Sequence, residues 1–401
     1  MPTNETVPNV APGSHEPDAS PVRLLHVLGY AGVSGAHAGQ TGVERVVEQL
    51  LEGLESFEHN VVYPPAGAML SRYRQLSNAL LVREPSHRFE RRFVDDVAAF
   101  IEARNVQIVL SHGFLRNDFL TALACRRTGR PHVVSRAVPL ADEGLSWPRR
   151  TAYGLTDGWT LRRAAHVVAC SEATRRRIIE TQRFDARKIS AIPNGVQLPQ
   201  VDDAARVEAR RALGIDASTF IVGGIGQLIA RKRFTDLVDA VAQARAQRAA
   251  HGREIIAVLL GAGPEREALM QRAHELCVPL HLPGFMPDPW STLATFDVSV
   301  LPSRAEGMPL SVLESMALSV PVVATNVAGT PEVVEDGRSG FLFAPGDVTS
   351  LAQRIVQLAA DAGLRTQIGT QGAERVATHF SLQAMLQGFE RCLRAVLHAR
   401  S

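Results

Sequence analysis

Six short apolar runs mark the first half of the chain: RLLHVLG, HNVVYP, QIVLSHG, HVVSRAV, HVVACS and KISAIPNG, separated by amphipathic stretches of helical period. They are rich in Val and Ile and largely unbroken by polar residues, as suits strands buried on both faces. Such strands joined by helices build a parallel sheet. After PNGVQLPQVDD the pattern restarts with FIVGGIGQL, EIIAVLLGAG, DVSVLPS, PVVAT and GFLF. The predicted fold class is therefore α/β, with two doubly wound Rossmann-like domains facing across a cleft. The stretch from Pro193 to Asp203, with its prolines and its Asn-Gly pair, is the natural linker. The expected parts are a disordered tail over 1–21, a first domain over 22–198, a second over 199–380, and an amphipathic helix over 381–401 packing back toward the first domain.

With 401 residues and 45% apolar content, the chain can bury a core in each of two domains. It has no apolar run of spanning length, and its first 21 residues lack a basic end or an apolar centre, so neither a signal peptide nor a spanning helix is expected. Cys125, Cys170, Cys277 and Cys392 lie far apart, which predicts buried free thiols and a cytoplasmic setting. The net charge of +2 hides an asymmetry. Residues 101–200 hold 16 Lys plus Arg against 8 Asp plus Glu, while residues 201–401 hold 19 against 21. Arg126-Arg127, Arg149-Arg150, Arg162-Arg163 and Arg175-Arg176-Arg177 fit either solvated helix faces or a surface drawn to an anionic membrane. No aromatic-interleaved basic strip accompanies them, so nucleic acid is not an expected partner.

The chemistry concentrates after the DVSVLPS run. Arg304–Pro309 reads as the loop at the carboxyl end of that strand and Ser311–Leu318 as the following helix, which places both on the ligand-binding edge of a parallel sheet. A helix N-terminus there suits phosphate. Glu306 and Glu314 flank it, and carboxylates beside a phosphate pocket are good acceptors for sugar or ribose hydroxyls. Each glutamate also has a purely structural alternative. Ser311 and Glu314 match a capping box, and Glu306 could be a solvated loop acid.

EGMPLSVLESMALSVPVVATNVAGTPEVVEDGRSGFLF resembles the E-x7-E region of the retaining family-four glycosyltransferases with GT-B architecture. Other segments follow in that family's order: GQTGVERVVEQL, SHG, CSEATRRRII, KISAIPNGV, GQLIARKRFTDLVDA and LLGAGPEREAL, so the resemblance covers about residues 22–400. It implies that the first domain receives the acceptor and the second a nucleoside-diphosphate sugar. Glu306 would hold hydroxyls of the donor sugar and Glu314 the ribose, while Gly307, Met308, Pro309 and Leu310 line the donor. Lys232 would neutralise the diphosphate. All but two of the 43 basic residues are Arg, so a lysine here stands out. Gly39 and Gly42, with Gly35 nearby, would let the first loop approach the donor phosphates.

The chain departs from the family pattern in three places. Gln227 replaces an arginine whose charge Arg231 could supply, Arg233 replaces a glycine, and Ala137, preceded by Arg136, replaces a histidine. His112 is a substitute for that histidine and joins Glu306 and Lys232 as a catalytic candidate. The implied reaction is transfer with retention, the acceptor hydroxyl attacking the face from which the nucleoside diphosphate leaves. No two aspartates stand two positions apart, so no Asp-x-Asp metal site is expected, nor any cofactor beyond the donor. The expected acceptor is a cell-envelope glycan or lipid-linked glycan, at the inner face of a membrane. Two alternatives stay open: a nonhydrolysing sugar-nucleotide epimerase and a catalytically inactive nucleotide-sugar-binding protein.

Overall fold

The computed structural model describes residues 21–29, 40–65, 67, 69–113, 115–138, 147–197, 200–247 and 252–399. Residues 1–20 of the expected N-terminal tail and the first-loop residues Gly35 and Gly39 lie outside them.

The first sheet holds β1 (Val22–Leu28), β2 (Phe57–Tyr63), β3 (Ala79–Val82), β4 (Ile108–His112), β5 (His132–Arg136), β6 (His166–Ala169) and β7 (Ile189–Ala191), in the order β3-β2-β1-β4-β5-β6-β7. The second holds β8 (Phe220–Ile225), β9 (Ile255–Leu260), β10 (Leu280–Gly284), β11 (Val298–Leu301), β12 (Val322–Thr325) and β13 (Phe341–Phe343), in the order β10-β9-β8-β11-β12-β13. The pairings within both are parallel. The predicted class is what forms: two doubly wound α/β units. In each sheet the strand order reverses once, between β1 and β4 and between β8 and β11, and a crevice opens at the carboxyl ends of such a pair.

The central strands read clearly in the sequence because their side chains are nearly all buried; β4 and β9 are buried at every position. Two strands were not expected, β3 and β10. Both lie at sheet edges, where neighbours cover only part of the strand, so β3 is four residues long and β10 is half-exposed and contains Pro283.

Two crossings join the units. Val196 N–H donates to Phe380 O at 3.0 Å and Leu382 N–H donates to Val196 O at 3.1 Å, which ties the linker to the segment entering the last helix. That helix, Leu382–His398, is capped by Ser381 and buries Met385, Phe389, Leu393 and Val396 in a core shared with Val46, Leu50 and Leu54 of the first unit. Ser56 Oγ donates to its Glu390 at 2.7 Å. Burial of each such apolar side chain stabilises the docked helix by roughly 1.5–3 kcal/mol.

Among the described residues no helix is long and apolar enough to cross a membrane. No disulfide joins the four cysteines, but only Cys125 and Cys170 are buried; Cys277 is exposed and Cys392 half-buried. Cys277 departs from the expectation because it sits in a left-handed turn after a helix, not within one (φ 52°).

Candidate functional site

The carboxyl ends of the two sheets face one another across a cleft of about 260 Å³. Its first-unit wall includes Gln40, Thr41, Gly42, Arg45, His112 and Ala137, and its second-unit wall includes Gln227, Arg231, Lys232 and Glu306 through Ser311.

Glu306 follows β11 on the predicted loop and is buried, with 7% of its surface exposed. Lys232 closes a short turn after β8, and its Nζ lies 2.6 Å from Glu306 Oε1. Burial pushes the Glu306 carboxyl up, but Lys232 and then Arg231, with the Lys232 hydrogen bond, outweigh it and hold the group below the usual glutamate value. It is an ionised acceptor, not a solvated loop acid. Arg231 is fixed by its own donation to Ala305 O at 3.0 Å, while its carbonyl accepts from Arg304 N–H at 2.9 Å.

The helix after the loop runs Leu310–Ala317, starting one residue earlier than expected, with Pro309 as its N-cap and no side chain satisfying its first N–H groups. Ser311 is therefore inside the helix, and the capping-box reading of Glu314 does not hold. Glu314 instead lies 3.3 Å from Arg45 Nε, across the cleft. Burial pushes its carboxyl up, and Arg45 offsets this only in part. Pro309 lines the cleft but has no N–H to offer. The donors at this helix start are the amides that follow it.

Gly42 begins the helix Gly42–Gly53, whose N-cap Thr41 forms a capping box with Glu44. Two helix N-termini thus border the same cleft, together with Lys232, Arg231 and Arg45, which makes it suited to a doubly charged anion. Arg233 turns out of the cleft; it takes the left-handed conformation (φ 53°) and pairs with Asp236 at 2.7 Å. Glycine adopts that conformation without strain. Arg136 is buried on Asp157 Oδ1 at 2.6 Å, so it anchors β5 and leaves Ala137 to line the cleft. His112 lines the cleft at the end of β4, 2% exposed, and burial pushes its imidazole down to about 3.

Several residues in and around the cleft stand outside the sequence expectations. Arg45 stacks over Trp290 at 5.0 Å while facing Glu314, and Asn194 Nδ2 donates to Met308 O at 2.9 Å. Glu332 accepts from Glu172 and Ala173 N–H at 2.9 and 2.6 Å, binding the second unit to a helix start of the first. Arg45 shares the GVERVVEQL segment with Gly42 but reads as one arginine among many. Among the described residues no His, Cys, Asp and Glu group has the makings of a metal site.

Residues 40–199 match the family model described as Glycosyltransferase Family 4, and residues 219–361 match Glycosyl transferases group 1. A capsular polysaccharide biosynthesis glycosyltransferase of Staphylococcus aureus, CapM, is 28% identical over 57% of this chain and 60% of its own length. A lipopolysaccharide core biosynthesis glycosyltransferase of Rhizobium meliloti, LpsE, is 32% identical over 46% of this chain and 52% of its own. The chain thus spans little more than half the length of these relatives. HepE of Anabaena, solved with UDP and glucose, superposes with a TM-score of 0.80 at 22% identity, covering 93% of this chain and all of that one, and so shares the fold.

Proposed function

The chain belongs to the family-four glycosyltransferases of GT-B architecture, and from that premise we propose that it moves a sugar from a nucleoside-diphosphate sugar to a hydroxyl of a cell-envelope glycan or lipid-linked acceptor. Transfer retains the anomeric configuration and needs no divalent metal. The observation that carries this reading is one cleft holding Lys232, Arg231 and Arg45, two helix starts, and the buried carboxylates Glu306 and Glu314. The names of the CapM and LpsE relatives, in capsule and lipopolysaccharide synthesis, favour an envelope acceptor. UDP in HepE favours a nucleoside diphosphate.

On this reading the donor diphosphate lies against Lys232, Arg231 and the start of the helix at Leu310, with its ribose on Glu314 and its sugar on Glu306. The bond between the anomeric carbon and the phosphate oxygen breaks, the acceptor oxygen bonds that carbon on the same face, and the acceptor proton passes to the leaving phosphate. The main electrostatic demand is the charge developing on that phosphate, and fixed cations in a buried cleft meet it without reorganising. With Lys232 and Arg231 beside a single ionised Glu306, the local balance stays positive.

The test is product analysis with a panel of UDP- and GDP-sugars and membrane-derived glycan acceptors, in excess chelator. Transfer should persist, and Lys232→Ala should lower it by ~10²-fold or more, the scale of losing one transition-state electrostatic partner. An enzyme silenced by chelator and restored by Mn²⁺ contradicts the metal-free mechanism. Conversion of the sugar nucleotide without any acceptor would identify an epimerase instead.

A further inference from the structure

Three histidines form a buried row under the cleft floor, on three adjacent strands: His59 on β2, His26 on β1 and His112 at the end of β4. In register, His26 stands opposite Val61 and Leu110, two positions from His59 and His112 respectively. Offsets of two keep side chains on one face of a sheet, so the three rings run diagonally across it. His59 Nε2 is 3.2 Å from Leu54 O, His59 Nδ1 is 3.0 Å from His26 Nε2, and His26 Nδ1 is 3.1 Å from His112 Nε2.

The first contact sets the direction of all the others. A carbonyl oxygen only accepts, so His59 Nε2 carries the hydrogen. In a neutral ring Nδ1 then bears the lone pair. His26 Nε2 must donate to that lone pair, which leaves His26 Nδ1 bare and obliges His112 Nε2 to donate in turn. Neutrality follows from the surroundings. Burial pushes all three imidazoles below their ordinary value, and His26 is held down further by the two rings beside it.

We propose that this row locks His112 in the tautomer with hydrogen on Nε2, leaving Nδ1 as a lone-pair acceptor for a substrate hydroxyl at the cleft, with His26 and His59 as positioning residues. His112 then cannot donate to a substrate oxygen, and it selects a ligand that presents O–H to it. That the ligand is a sugar hydroxyl rests on the transferase reading; the tautomer does not.

The test uses the full chain labelled with ¹⁵N-histidine and long-range ¹H–¹⁵N correlation spectra at neutral pH, with His112 assigned by the signals lost in His112→Gln. The expected spectrum shows hydrogen on Nε2 and a bare Nδ1 in all three rings. Hydrogen on Nδ1 of His112, or a doubly protonated ring in the row, overturns the proposal on the unmutated protein. His59→Leu removes the anchor at Leu54. The folded variant should show His112 in mixed tautomers, and kcat/KM for transfer should fall roughly 3- to 10-fold, the worth of one hydrogen bond, with nucleoside diphosphate affinity unchanged. An unchanged His112 tautomer in that variant also overturns it. The expected tautomer in a protein that uses no sugar nucleotide would support the lock and refute the transferase reading.

Discussion

Glu306 and Glu314 are eight positions apart, both buried, and in opposite electrostatic states. Cations within reach hold Glu306 down, while burial with a single arginine partner leaves Glu314 raised. Glu314→Ala should weaken nucleoside diphosphate binding by about 1–3 kcal/mol with little change in melting temperature, because its proposed partner is the ribose. Glu306→Gln should lower turnover far more than that affinity, because its proposed partner is the sugar. Titration calorimetry beside initial rates separates the two, and equal losses in both variants would remove the division of labour. The pH dependence follows the same contrast. As pH falls, Glu314 takes up its proton above the ordinary glutamate value and Glu306 only below it, so nucleotide affinity should decline before the Lys232–Glu306 pair is lost. Lys232 was legible because lysine is rare in this chain; Arg45 was not, because arginine is everywhere in it. The histidine row was equally silent, since it depends on the register of three strands that are neighbours in the sheet but not consecutive along the chain.

At the scale of elements, the alternation of apolar runs and helices was enough to place the loop after β11 on the ligand edge. The helix boundary was harder to see. A Ser-x-x-Glu pattern imitates a capping box wherever it falls, and only the backbone shows that Pro309 takes the N-cap position and frees Glu314 for the cleft. The two loops that meet across the cleft are held closer than a side chain would allow. A Cβ on Gly307 would overlap the Ala137 carbonyl oxygen and crowd Cys170 Sγ. Gly307→Ala should therefore keep both domains folded but force the walls apart. Turnover should fall by roughly 10²-fold, the scale of an ~1 Å misplacement of reacting groups. A variant with wild-type turnover would show that this approach is not needed for the reaction.

Over the whole molecule, the linker at Val196 and the return at Phe380–Leu382 run side by side, so the two units are joined at one place and meet again around the cleft through Arg45–Glu314, Asn194–Met308 and Glu332. The basic excess of the first unit is partly spent on structure. Arg127 pairs with Asp95, Arg175 with Glu172, and Arg163 lies over Trp159. Arg126 and Arg162 remain exposed, as do Phe89 and Leu155 at 65% and 75%. Vesicle sedimentation should show weak binding to anionic lipid that is lost as salt rises, at about 1 kcal/mol per basic residue near the surface. Equal binding to neutral vesicles at low salt would exclude an electrostatic membrane contact. The most direct test of the donor site is the melting temperature of the protein and of Lys232→Ala against a panel of nucleoside diphosphates and their sugars. A matched nucleotide at 100 times its dissociation constant should stabilise the protein by about 2.7 kcal/mol, and the same concentration should stabilise Lys232→Ala much less. No stabilisation by any nucleoside diphosphate, or an equal effect on Lys232→Ala, would contradict a cleft built to hold a nucleotide sugar by its diphosphate.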